Sequence, residues 1–198
     1  MIRRVLVLAC AAALGLSACG RKEEQAPAAP AVKQAEPARK ADPYQVWTRG
    51  VGPISEHTAF TPEAVGQAFP ELTVEKGFLH YGDAASPILT ATGPQGQSME
   101  IQGDVEGRIA TIVVRGGAFR GPGGEPLLLK WPYANFAASD CRMGEGRFLN
   151  ALVCRRNGEP RILYVFAVPG WASTAVPPPE VLSERAFLRE FVWIAPVR

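Results

Sequence analysis

Residues 148–168 read Phe-Leu-Asn-Ala-Leu-Val-Cys-Arg-Arg-Asn-Gly-Glu-Pro-Arg-Ile-Leu-Tyr-Val-Phe-Ala-Val. Two apolar runs, 148–155 and 162–168, flank Asn157-Gly158-Glu159-Pro160. Asn-Gly supplies the positive backbone φ that a tight reversal needs, and each run is too short for a packed helix, so the stretch predicts a β-hairpin. The same punctuation recurs along the chain. Apolar runs at 72–79, 88–92, 99–102, 109–115 and 191–194 alternate with Gly82-Asp83, Gly93-Pro94, Gly103, Gly107, Gly116-Gly117 and the glycine-rich stretch 121–124. Many short strands joined by turns predict a mainly β fold, an antiparallel two-layer β-sandwich with one or two short helices.

One helix start is well formed. Thr61 can cap, Pro62 suits the first helical position, and Glu63 favours the positive end of the helix dipole. Pro70 stops it after Phe69, leaving about two turns with Val65, Ala68 and Phe69 toward the core. A second short helix is expected over 181–188.

Composition changes abruptly on the N-terminal side. Residues 1–18 read as a signal peptide: Arg3 and Arg4 form a basic start, and 5–16 form an apolar core shorter than the ~20 residues a bilayer span needs. Leu16-Ser17-Ala18-Cys19 resembles the bacterial lipobox, which makes Cys19 the lipid-attachment residue. The residues flanking Arg3-Arg4 do not suit twin-arginine export, so general secretion is expected. Several acyl chains anchor stably where one does not, so the membrane is expected to hold the chain through this lipid. By the enterobacterial sorting rule, Gly20 rather than Asp after the cysteine directs the chain to the periplasmic face of the outer membrane.

Residues 19–43 carry four prolines, no aromatic residue and charges of both signs, and predict a disordered Pro/Ala-rich linker. Residues 44–198 suffice for a single β-rich periplasmic domain with its own core. The whole chain has 21 Lys and Arg against 19 Asp and Glu, and the signal peptide holds two of the basic residues. A mature charge near zero leaves no electrostatic footprint for nucleic acid.

Cys141 and Cys154 are the two thiols left beyond Cys19 in the mature chain. An even pair in an exported domain predicts a disulfide, here stapling a hairpin whose tip carries Gly144 and Gly146. These cysteines lack the CxxC spacing of a redox site.

Motifs for chemistry are sparse. His57 and His80 lack a ligand-like neighbour at helical spacing, and HExxH, CxxC and Asp-rich calcium loops are missing, so neither a metal site nor a cofactor is expected. His80, Tyr81 and Asp83 read as a solvated turn. Gly96-Gln97-Ser98-Met99-Glu100 fails the GxSxG elbow at its last position, and the 121–124 glycines precede no GK[ST]. No catalytic residue is assigned. The aromatics Trp131, Tyr133 and Trp171 lie in turn-rich stretches and form the candidate binding surface, the competing reading being that they cap the core.

Taken in order, Gly50-Val51-Gly52-Pro53-Ile54, Ala68-Phe69-Pro70, the Cys141 to Cys154 spacing, Ile162-Leu163-Tyr164-Val165-Phe166, Val176-Pro177-Pro178 and Val192-Trp193-Ile194-Ala195-Pro196 resemble the envelope-stress (sigma-E) regulated lipoproteins. That Gram-negative family carries a domain of unknown function. The resemblance implies a β-rich periplasmic domain expressed under outer-membrane stress, and it brings no catalytic residue. The expected function is a non-enzymatic envelope binding or assembly module with an envelope protein as partner. A small-molecule or glycan binder using the aromatic loops is the alternative, and an envelope hydrolase ranks last.

Overall fold

The computed structural model describes residues 42–81 and 84–197. The signal peptide, Cys19, nearly all of the linker and the Gly82-Asp83 turn lie outside them.

In chain order the strands are β1 (Val46–Trp47), β2 (Gly50–Val51), β3 (Ile54–Ser55), β4 (Thr73–Tyr81), β5 (Ala84–Thr92), β6 (Ser98–Gly103), β7 (Ile109–Arg115), β8 (Cys141–Met143), β9 (Ala151–Cys154), β10 (Ile162–Ala167) and β11 (Phe187–Ile194). Three short helices join them: α1 (Pro62–Ala68), α2 (Trp131–Ala134) and α3 (Pro179–Arg185). β1, β2 and β3 form a small sheet, and the other strands form one eight-stranded sheet ordered β4-β5-β6-β7-β11-β10-β9-β8. All of its pairings are antiparallel. The fold is therefore mainly β and two-layered with short helices, and its second layer is built from the small sheet and helices.

Side-chain alternation explains this layering. Met99, Ile101, Ile112, Val114, Tyr164, Phe166, Phe191 and Trp193 share one face of the large sheet and meet Val46, Val51 and Ile54 of the small sheet, Val65 of α1 and Leu182 of α3 in the main core. Aromatic rings meet edge to face there, as in Tyr164 and Phe191 at 5.3 Å and Trp131 and Phe166 at 5.1 Å. Burying each such ring contributes about 1.5–3 kcal/mol. The opposite face carries a second cluster, Val113, Ala151, Val153, Leu163, Val165 and Val192, packed by Phe148 and Ile194. Strands β10 and β11 are buried on both faces, so their sequences run apolar almost without alternation.

Helix α1 starts as expected: the Thr61 hydroxyl accepts from the Ala64 N–H at 3.2 Å, with Pro62 in the first turn. The Asn157-Gly158 turn joins β9 to β10 as a hairpin. Two boundaries differ from expectation. The helix expected over 181–188 is α3, Pro179–Arg185, and Phe187 and Leu188 open β11 instead of closing it. The Leu188 N–H donates to Leu129 O at 2.9 Å, and its carbonyl accepts from Leu128 N–H at 2.7 Å, so tertiary pairing overrides the helical spacing. Phe148 belongs to a 3-10 turn, and β9 begins only at Ala151, because Asn150 adopts a left-handed φ of 63° that breaks the strand between them.

Candidate functional site

Of the three candidate aromatics, Trp131 is 8% exposed and belongs to the core, its ring against Phe166 and Phe136. Tyr133, two residues on, is 77% exposed. The Trp171 indole N–H donates to Ala175 O at 2.9 Å, which fixes the Pro-Gly-Trp turn. A shallow depression beside Trp171 is lined by Asn150, Val168, Pro169 and Ala172, and by neither Trp131 nor Tyr133. Cys141 and Cys154 stand directly opposite each other on β8 and β9 and are disulfide-bonded. Among the described residues, no three His, Cys, Asp or Glu side chains converge as metal ligands.

Two other places hold exposed chemistry. The first is a cleft of about 790 Å³ at the N-terminal sheet. Alternation along β1 buries Val46 and turns Trp47 outward, 40% exposed. The tight reversals around it require glycine: a Cβ on Gly50 would lie 1.7 Å from Ile54 O, and one on Gly52 (φ 52°) would lie 2.1 Å from Pro43 O. The Trp193 indole N–H pins the following turn by donating to Thr48 O at 3.2 Å. Asp42, Gln45, Arg49, Ser55, Glu56 and His57 complete the polar lining. His57 Nε2 stands 3.8 Å from the Glu56 carboxylate. The aromatic of this site was missed in the sequence because a two-residue strand shows no periodicity.

The second place is the free edge of the large sheet. Strands β4 and β5 pair over nine residues, but β6 pairs only with Ile88–Thr92 of β5. The four pairs from Phe78–Pro87 to Tyr81–Ala84 therefore project beyond the sheet as a two-stranded arm. Phe78 is 66% exposed on it. No strand pairs with the outer edge of β4 among the described residues. At the other edge β8 is three residues long and is tied to its inner neighbour β9 by the disulfide.

Ion pairs reinforce the scaffold between these places. Glu190 is 1% exposed on β11, and its carboxylate accepts from Arg115 Nε at 2.5 Å and Arg189 Nη2 at 2.8 Å. Glu100 on β6 pairs with Arg147 of the β8–β9 connection and lies 3.7 Å from Arg115 Nη1. Burial alone would raise the Glu100 carboxyl, but the Arg147 hydrogen bond and the charges of Arg147 and Arg115 hold it below its ordinary range. Burial and a hydrogen bond to Glu71 push the Tyr44 hydroxyl up to about 12. Burial and the bond it donates to Glu159 at 2.6 Å push the Tyr164 hydroxyl up as well. These are structural roles: each group meets a partner inside the fold.

No protein-family model matches the chain. Nor does any curated protein. Among solved structures, the chain is similar to the crystal structure of the uncharacterized protein yfeY from Escherichia coli, with a TM-score of 0.63 and 17% sequence identity. The match covers 77% of this chain and 99% of that one, so the two share a fold along the whole of the Escherichia coli chain.

Proposed function

We propose that this chain is a lipid-anchored, non-enzymatic binding module of the bacterial envelope, which captures an extended segment of a protein partner on its β4–β5 arm. The single observation that carries the reading is the asymmetry of the two sheet edges. An unpaired strand edge templates pairing with another chain, and proteins ordinarily blunt it by shortness, charge or cover. The β8 edge is three residues long, whereas β4 is nine residues long and has no partner on its outer side among the described residues. Strand addition takes affinity from main-chain hydrogen bonds and specificity from alternate side chains. Phe78 is the natural anchor, a large apolar ring left mostly in solvent.

The lipobox at Cys19 and the Pro-rich stretch after it support tethering at the periplasmic face of the outer membrane. The order of motifs shared with the sigma-E regulated lipoproteins supports membership of that family, and the fold shared with the Escherichia coli protein accords with it.

The test places a photoreactive amino acid at position 78 or, as control, at position 133, which is at least as exposed, in living cells. The expected result is an adduct of defined mass from position 78 only, lost when Phe78-flanking Leu79 is replaced by Asp. No adduct at 78, or the same adducts from both positions, would refute the reading. In the same cells Cys19→Ala should release the chain from the membrane fraction, and unchanged retention would exclude the lipid anchor.

A further inference from the structure

We propose that the N-terminal cleft is a carbohydrate site, with the indole of Trp47 as the platform on which a neutral sugar ring stacks. The cleft's volume, about 790 Å³, lies in the range of small-ligand sites, ~300–1,000 Å³. Trp47 differs from the other three tryptophans. Trp193 is fully buried and hydrogen-bonded, Trp131 is in the core, and Trp171 is tied to Ala175. The Trp47 indole alone lines a cavity of this size, and its exposed face is the kind of surface that packs the C–H face of a pyranose.

The polar rim selects the ligand class. Asp42 and Glu56 are acceptors, Arg49 is a planar donor, and His57 stands at the edge of the cleft. The Gln45 amide nitrogen is committed to Gly121 O at 2.5 Å, which leaves its carbonyl oxygen as a further acceptor. Donors and acceptors thus line the same cleft as one exposed indole, a combination that vicinal hydroxyls satisfy, each hydroxyl giving and taking a hydrogen bond. Two carboxylates beside one guanidinium disfavour a phosphate-bearing ligand. The guanidinium, in turn, disfavours a cation, and the polar rim would be left unpaired by a wholly apolar guest.

The floor is rigid. Val46, Val51 and Ile54 are buried beneath it, and the Trp193 indole N–H ties the Thr48 carbonyl of the adjoining turn to the main core. A preformed platform loses little ordering entropy on binding, so a small contact area suffices for measurable affinity. This site stands on observations separate from the β4–β5 arm, and either can fail alone.

Calorimetry and tryptophan fluorescence on the full-length chain in detergent test it, with chitotetraose and cellotetraose as probes. At least one probe should bind saturably and reduce acrylamide quenching of the exposed tryptophan signal. Trp47→Ala should weaken binding at least about tenfold with an unchanged melting temperature. Trp47→Phe should restore part of the affinity, and Trp171→Phe should leave it unaltered. Failure of both probes to bind the wild-type chain would overturn the proposal. So would binding that survives Trp47→Ala. Should Trp47→Ala unfold the domain, Glu56→Gln and Arg49→Gln decide: full affinity in both variants refutes the site, and loss in either with an intact fold supports it.

Discussion

Replacing Arg156 with Met should lower the stability of this domain by about 2–3 kcal/mol. Arg156 reaches from the β9–β10 turn onto the main-core face. There it pairs with Glu125, donates to Tyr164 Oη at 3.1 Å and to Ala134 O at 2.8 Å, and lies 4.8 Å from the ring centres of both Phe136 and Tyr164. Methionine keeps most of the stem's volume but removes every one of those donors. The Glu125 carboxylate, 13% exposed, then loses its counter-charge, and Ala134 O loses its partner. Breaking a fully buried pair costs about 3–5 kcal/mol. Arg156 is 24% exposed, so residual solvation reduces that cost to the value given above. For a domain of this size 1 kcal/mol moves Tm by roughly 2–4 °C, so thermal melts followed by circular dichroism at pH 7 should show a drop of about 5–10 °C. Adding Glu125→Gln to Arg156→Met removes the stranded charge and should recover part of that drop. A single variant melting within about 1 °C of wild type would refute the reasoning, as would a double variant no more stable than Arg156→Met.

The Cys141–Cys154 bond closes a sequence separation of 13, so reduction should cost about 3 kcal/mol by the chain-entropy estimate. Melts with and without reductant check this, and a Cys141→Ser, Cys154→Ser chain that melts like the oxidised wild type would contradict it. Glu100 gives a pH signature. Its folded pKa is depressed, so its contribution is present above the unfolded carboxylate value and is lost as pH falls through the folded one. The stability gap between wild type and Glu100→Gln should therefore hold steady from pH 7 to about 5 and shrink below about 4. Denaturant titrations at each pH measure it, and a gap that widens toward acid would reverse the assigned sign.

How much of this was legible in the sequence follows from element length. The 148–168 hairpin, the Thr61–Pro62 helix start and the cysteine staple each rest on a local rule, and each is present. Strands β1, β2 and β3 are two residues long, below the length at which alternation can be read. The whole N-terminal sheet and its cleft were invisible for that reason. For Trp131 the sequence left two readings open, a binding surface or a cap on the core, and long-range packing against Phe166 decides for the core. The exposed Phe78 lies in a run that reads as an ordinary strand, because only the shorter reach of β6 reveals that four residue pairs extend past the sheet.

The order of strands ties these regions together through the last one made. β4 to β7 form one antiparallel meander and β8 to β10 form another, and within the large sheet β11 alone pairs with both. The arm therefore belongs to a sheet half that is joined to the disulfide half only when residues 187–194 are inserted. That insertion brings Phe191 and Trp193 into the main core and Val192 into the opposite cluster, so one strand completes both. It also carries Glu190 to Arg115 on β7, a cross-strand charge pair that is satisfied only in this register. A one-residue slip would turn Glu190 toward the aromatic core and Phe191 toward the arginines, which penalises the wrong register twice. The buried charge on a central strand, costly by itself, acts here to specify the pairing on which the joined sheet and its projecting arm depend.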